Sequence, residues 1–431
     1  MAGPRIQLPA WSWSYVTFRL GDGASNALIP LAVVLHYHLP LWALALVTAA
    51  MNLSGVPAAF LWGTLVDRGI DRRRLVTFGF AMAAVGMAVL AWLPSIALFT
   101  LGAMLYTVFG VATSPAASTM VLQNVDRADW GRATGTLSRR TGLAYLTGMS
   151  ATAAFSFWRP IDFSATFAAC AVMAMGAALV ARRTLPAMLT GATPPADAGV
   201  VPAGQRWFER TVFFPARLAN PPTVRGMRQL LADPGRLWPI GYALTFMGSI
   251  SFFTSYPGVL AGALALPAGL VLLLQMPSQM VTPLAYPWAG RHGIHKGESR
   301  AVVQGSLVRS FSVPVMCSLV AFAGAKSWPL LLLLHGTMGI SFALIQVNGP
   351  LLLARLHPGG RGPGVGTYHA AVGIGTLFGA LSAFTLLRFL PFRDSYLFSA
   401  ALTWLGALCL ITAHRRWKAE GIRAAAPGTA A

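Results

Sequence analysis

Long apolar stretches, each about the length of a membrane-crossing helix, alternate with short polar turns along almost the whole chain. Six such runs come before residue 184, at about 13–37, 42–66, 74–93, 96–122, 132–157 and 162–182. After a polar stretch from Arg182 to Arg236, six more follow, at about 237–262, 268–289, 299–323, 328–354, 364–389 and 394–414. Because about 20 mostly apolar residues cross a bilayer as a helix, the pattern predicts an all-α membrane protein with twelve transmembrane helices.

The composition agrees with this pattern and narrows the class of protein. Of the 431 residues, 55% are hydrophobic and only 10% are charged, whereas soluble domains carry about 25% charged residues. This composition excludes a soluble enzyme, a disordered chain and a nucleic-acid-binding module. Cys170, Cys317 and Cys409 each lie inside an apolar run, without metal-ligand or redox spacing. We therefore expect no metal site and no cofactor.

The basic residues fall mainly on one side of the predicted helices and set the orientation. The chain holds 32 Lys and Arg against 12 Asp and Glu, a net charge of +20. Most of them lie in alternate loops, the central polar stretch and the tail, and the opposite loops offer only Arg159, Lys326, Arg388 and Arg393. By the positive-inside rule, both termini face the cytoplasm. The charge thus predicts a multi-pass plasma membrane protein whose partner is the lipid bilayer, and no nucleic acid is needed to explain it.

Six runs, a linker and six further runs indicate a duplicated architecture. The predicted units are an N-terminal six-helix bundle at 1–183, a cytoplasmic linker at 184–236, a C-terminal six-helix bundle at 237–414 and a cytoplasmic tail at 415–431. Internal repeats of this kind are typical of secondary transporters. A short basic turn stands at the same place in each half, between runs 2 and 3 and between runs 8 and 9.

The first of these turns, Gly63 to Arg74, resembles the loop signature of the major facilitator superfamily. The signature fits at Gly63, Leu65, Asp67, Arg68, Arg72 and Arg73, and its second glycine is shifted or replaced near Asp71. The resemblance implies twelve helices in two pseudo-symmetric six-helix bundles, usually in a monomer. It also implies a gating loop formed by Gly63, Asp67, Arg68, Arg72 and Arg73. Anchoring of the arginines to anionic lipid headgroups is the alternative.

Two features of the family's drug–proton antiporters are missing from the sequence. Tyr106 stands four residues before Gly110, where those antiporters often carry an arginine, and Gly142 and Gly148 of run 5 have no neighbouring proline. The sequence therefore does not support assignment as a drug–proton antiporter. A proton-driven exporter of drugs or other amphipathic compounds stays open as an alternative.

Ionisable residues within the runs are candidates for transport chemistry, because burying a charge in a bilayer is costly. Asp22 is the only acid clearly inside the hydrocarbon, and Arg19 stands three residues before it, on the same helix face. The two form either a self-neutralised structural pair or a site at which Asp22 takes up and releases a proton. Arg139 and Arg140 of run 5 point about 100° apart, so that one of them can reach Asp22 and the other a substrate anion.

The other polar positions are weaker candidates. Arg309 lies in run 9, which is peripheral in the family, and we interpret it as structural. Helix-to-helix hydrogen bonding competes with substrate contact for the remaining candidates, which are Asn26, Tyr145, Gln275, Gln279, Gln346 and His335. Four intramembrane arginines against one acid suggest an anionic or zwitterionic substrate.

Together these features predict a secondary active transporter rather than an enzyme. It would move a small organic solute by alternating access, with a proton as the candidate coupling ion, because the sequence holds no nucleotide-binding loop of the P-loop type. Runs 1, 4, 7 and 10 should line the cavity. Besides the exporter, a polytopic membrane enzyme or scaffold is the remaining alternative.

Overall fold

The computed structural model describes residues 9–67, 71–92, 95–112, 130–185, 234–356 and 361–425. All regular structure within these ranges is helical. The α-helices are α1 Ser12–Leu31, α2 Leu41–Asp67, α3 Arg72–Ala91, α4 Ile96–Val111, α5 Trp130–Trp158, α6 Phe163–Thr184, α7 Pro234–Gly258, α8 Ala268–Lys296, α9 Glu298–Ser318, α10 Trp328–Leu356, α11 Arg361–Phe389 and α12 Phe392–Ala425. Each of them overlaps one of the predicted apolar runs. Most boundaries agree to within a few residues, but α8 continues 7 residues and α12 continues 11 residues beyond the predicted ends, and run 4 continues into residues 113–122, outside the described ranges.

Helix ends follow local sequence signals. Asp71 caps α3, since its carboxylate accepts from the Arg73 backbone N–H at 3.0 Å, and Asp162 caps α6 by accepting from the Ala165 N–H at 2.9 Å. At the other end, α1, α7 and α9 each finish in a five-residue π-helical turn, at Ala32–His36, Val259–Ala263 and Leu319–Ala323. Such turns are rare in proteins and usually occur as single turns.

The first six helices and the last six repeat one packing scheme. In the first set, α1 packs against α5 and α6, α3 against α4 and α6, and α2 against α4. In the second set, α7 packs against α11 and α12, α9 against α10 and α12, and α8 against α10. Adding six to each helix number in the first set gives the corresponding pair in the second.

Glycines let the corresponding helix pairs approach closely. A Cβ on Gly148 of α5 would collide with the Leu20 carbonyl of α1, and a Cβ on Gly375 of α11 would collide with the Ala243 carbonyl of α7. Backbone contact of this kind replaces side-chain packing where helices cross within a membrane. The α1–α5 and α7–α11 crossings are therefore built in the same way.

Seven helical stretches among the described residues are long and apolar enough to cross a membrane. One of them, Glu298–Leu353, contains both α9 and most of α10. Leu41–Gly55 of α2 and all of α4 form shorter apolar helices.

Contacts between the two sets of helices include a group at one end of the molecule. We call these the outer ends, because they lie opposite the loops that carry most of the basic residues. Gly258 at the end of α7 lies against Leu41 and Leu44 of α2. At the start of α2, the Trp42 ring makes a cation–π contact with Arg388 of α11, whose guanidinium carbon lies 4.5 Å from the ring centroid. The two sets are thus in contact at their outer ends.

Candidate functional site

A cavity of about 490 Å³ lies between the two sets of helices, and we call it the central cavity. It is lined by Arg19, Thr141, Gly142, Tyr145, Phe246, Ser249, Ile250, Phe253, Ser278, Gln279, Thr282, Pro283, Tyr286, Arg309, Met338 and Phe342. These residues come from α1, α5, α7, α8, α9 and α10. Both sets of helices therefore contribute to the wall of the cavity.

Beside this cavity, Asp22 is the centre of a compact polar cluster. Only 3% of the residue is exposed. Its carboxylate accepts hydrogen bonds from Arg19 on the same helix, from Tyr106 on α4 and from Asn26 Nδ2, the last at 2.8 Å. The Asn26 amide also contacts the Tyr106 hydroxyl at 2.8 Å. The guanidinium of Arg19 and two neutral donors thus provide hydrogen bonds for the buried carboxylate inside the helix bundle.

Arg19 connects this cluster to the central cavity. A second cavity of about 330 Å³, the side cavity, is lined by Phe18, Arg19, Asp22, Asn26, Thr48, Met51, Asn52, Tyr106, Thr107, Gly110 and Val111. Arg19 lines both cavities, and its side chain is 44% exposed. Arg19 therefore lies between the Asp22 cluster and the central cavity and is in contact with both.

Arg309 reaches the central cavity from α9 and has different surroundings. The residue is only 4% exposed. Its Nε donates to Ser341 Oγ at 3.3 Å, and this hydroxyl donates onward to the Gly305 carbonyl at 2.7 Å. The guanidinium carbon lies 5.0 Å from the centroid of the Phe246 ring and 5.9 Å from that of Phe342. The interpretation of Arg309 as a peripheral structural residue is thus incomplete, because α9 does contribute to the cavity wall.

The structure separates the other predicted site residues. Tyr145 and Gln279 line the central cavity, whereas Gln275 lies one turn away and donates to the Val271 carbonyl at 3.3 Å. Gln346 accepts from the Tyr368 hydroxyl at 3.0 Å. His335 is buried, with Nδ1 at 2.9 Å from the Leu331 carbonyl. Only some of the polar candidates therefore face the solute space.

The expected contact between an arginine of α5 and Asp22 is not found among the described residues. Arg139 is exposed, Arg140 is half-buried, and neither is among the residues that line the two cavities. The guanidinium that contacts the Asp22 carboxylate is that of Arg19, which lies on the same helix, α1. A residue three positions away on the same helix reaches the carboxylate more directly than a side chain on a neighbouring helix.

The family follows from a comparison with known sequence families. Residues 11–307, from the start of α1 into α9, match the model of the Major Facilitator Superfamily. The chain belongs to the major facilitator superfamily. It is therefore a secondary transporter and a multi-pass integral membrane protein. No curated protein matches the chain.

Solved structures agree with this membership at the level of the fold. A variant of the nucleoside transporter NupG aligns with a TM-score of 0.72 at 11% identity, covering 94% of this chain and 98% of that one. A variant of the peptide transporter POT in complex with alafosfalin aligns with a TM-score of 0.68 at 13% identity, covering 95% of each chain. At such identities the likeness establishes the major facilitator fold and leaves the solute open.

The superfamily signature loop lies partly outside the described residues. Gly63 and Asp67 belong to the last turns of α2, but their surroundings are not described, and Arg68 lies outside the described ranges. Arg72 and Arg73 begin α3. The gating role of these five residues stays a prediction.

Sequence reasoning overlooked the part that Tyr106 plays. We noted it only as a departure from the drug–proton antiporters, yet its hydroxyl donates to the Asp22 carboxylate. The signal was present in the sequence, because Tyr106 stands where the drug–proton antiporters often carry an arginine, and Asp22 is the acid that we predicted inside the hydrocarbon. A neutral donor at this place hydrogen-bonds to Asp22 without adding a second positive charge.

Proposed function

We propose that this transporter works by alternating access, with Asp22 as the site that takes up and releases the coupling proton. The proposal is supported chiefly by one observation, that Arg19 pairs with Asp22 and lines the central cavity. Protonation of Asp22 removes the charge that holds Arg19. The Arg19 guanidinium is then available to the solute, so that proton binding and solute binding act on one side chain.

The architecture that we propose is twelve transmembrane helices in two pseudo-symmetric six-helix bundles. The repeated packing scheme of α1–α6 and α7–α12 supports it. With it go the domain limits of 1–183 and 237–414, a cytoplasmic linker at 184–236 and a cytoplasmic tail at 415–431. The positive-inside distribution of charge supports cytoplasmic termini and a plasma membrane location. We further propose that the protein works as a monomer on a small organic solute.

An exporter of amphipathic compounds is the second candidate. It is favoured by the apolar part of the central cavity wall, where Phe246, Phe253, Phe342 and Met338 lie together. The enzyme or scaffold alternative gains no support from a family and a fold that are those of transporters.

Alternating access and proton coupling can be tested together without knowing the solute. Ser278 of α8 lines the central cavity, so Ser278→Cys, in a background without the native cysteines, reports access from each face to a membrane-impermeant maleimide. In reconstituted vesicles we expect labelling from both faces, with a ratio that changes with pH. With Asp22→Asn added, the ratio should become independent of pH.

The matched control is Asp162→Asn, the same chemical change at an exposed helix cap, where asparagine also caps well. This variant should keep the pH response. Labelling from one face only, under all conditions, would contradict alternating access. A full pH response in the Asp22→Asn variant would remove Asp22 from the coupling mechanism.

A further inference from the structure

The Arg309 side chain is a buried cation without a described counter-ion. Among the described residues, no Asp or Glu oxygen lies within 4 Å of its guanidinium, although Arg19 in the same cavity wall has Asp22. Buried charges in proteins are normally paired, because an isolated ion loses its hydration energy. The cavity therefore holds one cation that is satisfied by the protein and one that is not.

The hydrogen bonds of Arg309 leave its terminal nitrogens available. Its Nε is occupied by Ser341 Oγ, and the described residues provide no acceptor for the two Nη groups. These two nitrogens form one of the parallel pairs of donors that match a carboxylate. The phenyl rings of Phe246 and Phe342 hold the guanidinium by cation–π contacts but do not neutralise its charge.

Apart from Arg309 and from Arg19, which is paired with Asp22, the described wall of the central cavity consists of uncharged residues, both apolar and polar. No acidic side chain is among its described lining residues, and Ser249, Ser278, Gln279 and Thr282 supply neutral hydrogen-bonding groups. A volume of about 490 Å³ is in the range of sites for small organic molecules. The wall thus accommodates an apolar body and one anionic group.

We propose that the solute of the central cavity is a small organic acid, whose carboxylate binds the Arg309 guanidinium while its aromatic or other apolar body packs against Phe246, Phe253 and Phe342. This proposal rests on the proposed function, which makes the central cavity the solute site. It names the chemical class of the solute and assigns a binding role to Arg309.

The test uses three probes that share one skeleton and differ in charge, namely phenylacetate, phenylacetamide and phenethylamine, together with naphthylacetate and its amide as larger homologues. The thermal unfolding midpoint of the purified full-length protein is measured with each probe in detergent. We expect the two acids to raise the midpoint in a saturable manner and the amides and the amine to leave it unchanged.

Variants then assign the effect to one side chain. Arg309→Gln can keep a hydrogen bond to Ser341 but removes the charge, and we expect it to weaken acid binding at least tenfold, about 1.4 kcal/mol. Arg309→Lys keeps the charge without the paired donors and should bind the acids with intermediate affinity. Arg393→Gln, which removes an exposed arginine at the start of α12, outside the cavity, should bind them as the wild type does.

Three results would overturn the proposal. They are a wild-type protein that neither acid stabilises, stabilisation by the amides or the amine equal to that by the acids, and unchanged acid binding in the Arg309→Gln variant. If Arg309→Gln does not fold, the decision passes to Arg309→Lys, where undiminished affinity counts against the proposal. The maleimide experiment on Ser278→Cys needs no ligand. It can therefore support alternating access even if the organic-acid proposal fails, and it can contradict alternating access even if the acids bind to Arg309.

Discussion

Arg19 and Arg309 line the same cavity but differ in how their charge is balanced. Arg19 is 44% exposed and pairs with a carboxylate on its own helix. Arg309 is almost fully buried, and its described neighbours are a hydroxyl group and two aromatic rings. No carboxylate of the described residues pairs with it. A compensated charge contributes to the stability of the fold, whereas an uncompensated one is a cost that function has to explain. Within one cavity wall, the comparison therefore distinguishes a cation whose charge the protein itself balances from a cation whose charge, in our proposal, the solute balances.

The largest effect should come from removing the compensated cation. Arg19→Gln leaves Asp22 buried without its counter-ion, and we expect a loss of about 2 kcal/mol in the free energy of unfolding, below the usual cost for a fully buried pair because Arg19 is partly exposed. Denaturant unfolding of the purified protein measures it. The double variant Arg19→Gln/Asp22→Asn removes both charges and should recover most of the loss. A double variant no more stable than the single one would show that the pair is not a unit.

The opposite sign is expected for the uncompensated cation. Arg309→Met replaces it with an apolar side chain of similar length, and replacing a buried charge in this way is often stabilising. We expect a gain of about 1 kcal/mol in the same unfolding measurement, together with loss of acid binding. A loss of stability as large as that of Arg19→Gln would mean that Arg309 has a structural partner, and the contrast between the two arginines would disappear.

A smaller change sharpens the description of the Asp22 cluster. Tyr106→Phe removes the hydrogen bond to the Asp22 carboxylate and also the acceptor of the Asn26 amide, and it should cost at least about 1 kcal/mol of unfolding free energy. Tyr286→Phe is the matched control, since Tyr286 lines the central cavity and its hydroxyl has no partner among the described residues. Equal costs for the two variants would argue against a special role of the Tyr106 hydroxyl.

The predictable part of the site is the local part. The spacing of Arg19 and Asp22 along one helix was enough to predict their pairing, because residues three apart share a helix face. The contact between Tyr106 and Asp22 joins residues 84 positions apart, and no periodicity encodes which neighbour α1 meets there. The place of Arg309 in the cavity wall was not predicted, for a similar reason. Its position in the wall depends on the close approach of α9 and α10, where Gly305 lies against Ser341, and sequence spacing does not determine how two helices cross.

The fold was more accessible than the site. Apolar run length alone predicted the positions of helices such as α5, expected at 132–157 and found at Trp130–Trp158, because the bilayer fixes how long a spanning helix must be. The π-helical turns at Ala32–His36 and Val259–Ala263 were not predictable. They depend on how the helix ends pack against each other and have no sequence signature of their own.

The smallest effect is expected at a third arginine, which is exposed. Arg388 lies over the Trp42 ring at the outer ends of α2 and α11. Arg388→Gln should weaken this contact by about 0.5 kcal/mol, about a twofold increase in the share of molecules open at the outer ends. The maleimide labelling of Ser278→Cys from the outer face measures it, with Arg393→Gln at the start of α12 as the control. An unchanged labelling rate would limit the role of Arg388 to the local surface.

The meeting of Trp42 and Arg388 also has a practical consequence. The surface around Trp42 and Arg388 combines residues of α2 and α11, which are far apart in the chain. It therefore forms a conformational epitope only while these two helices are in contact. A nanobody selected against this epitope would bind only the conformation in which α2 and α11 are in contact, and it would dissociate when they separate. Such a nanobody would stabilise one conformation of the protein and add mass outside the detergent micelle. Both effects help the alignment of particle images in electron cryo-microscopy.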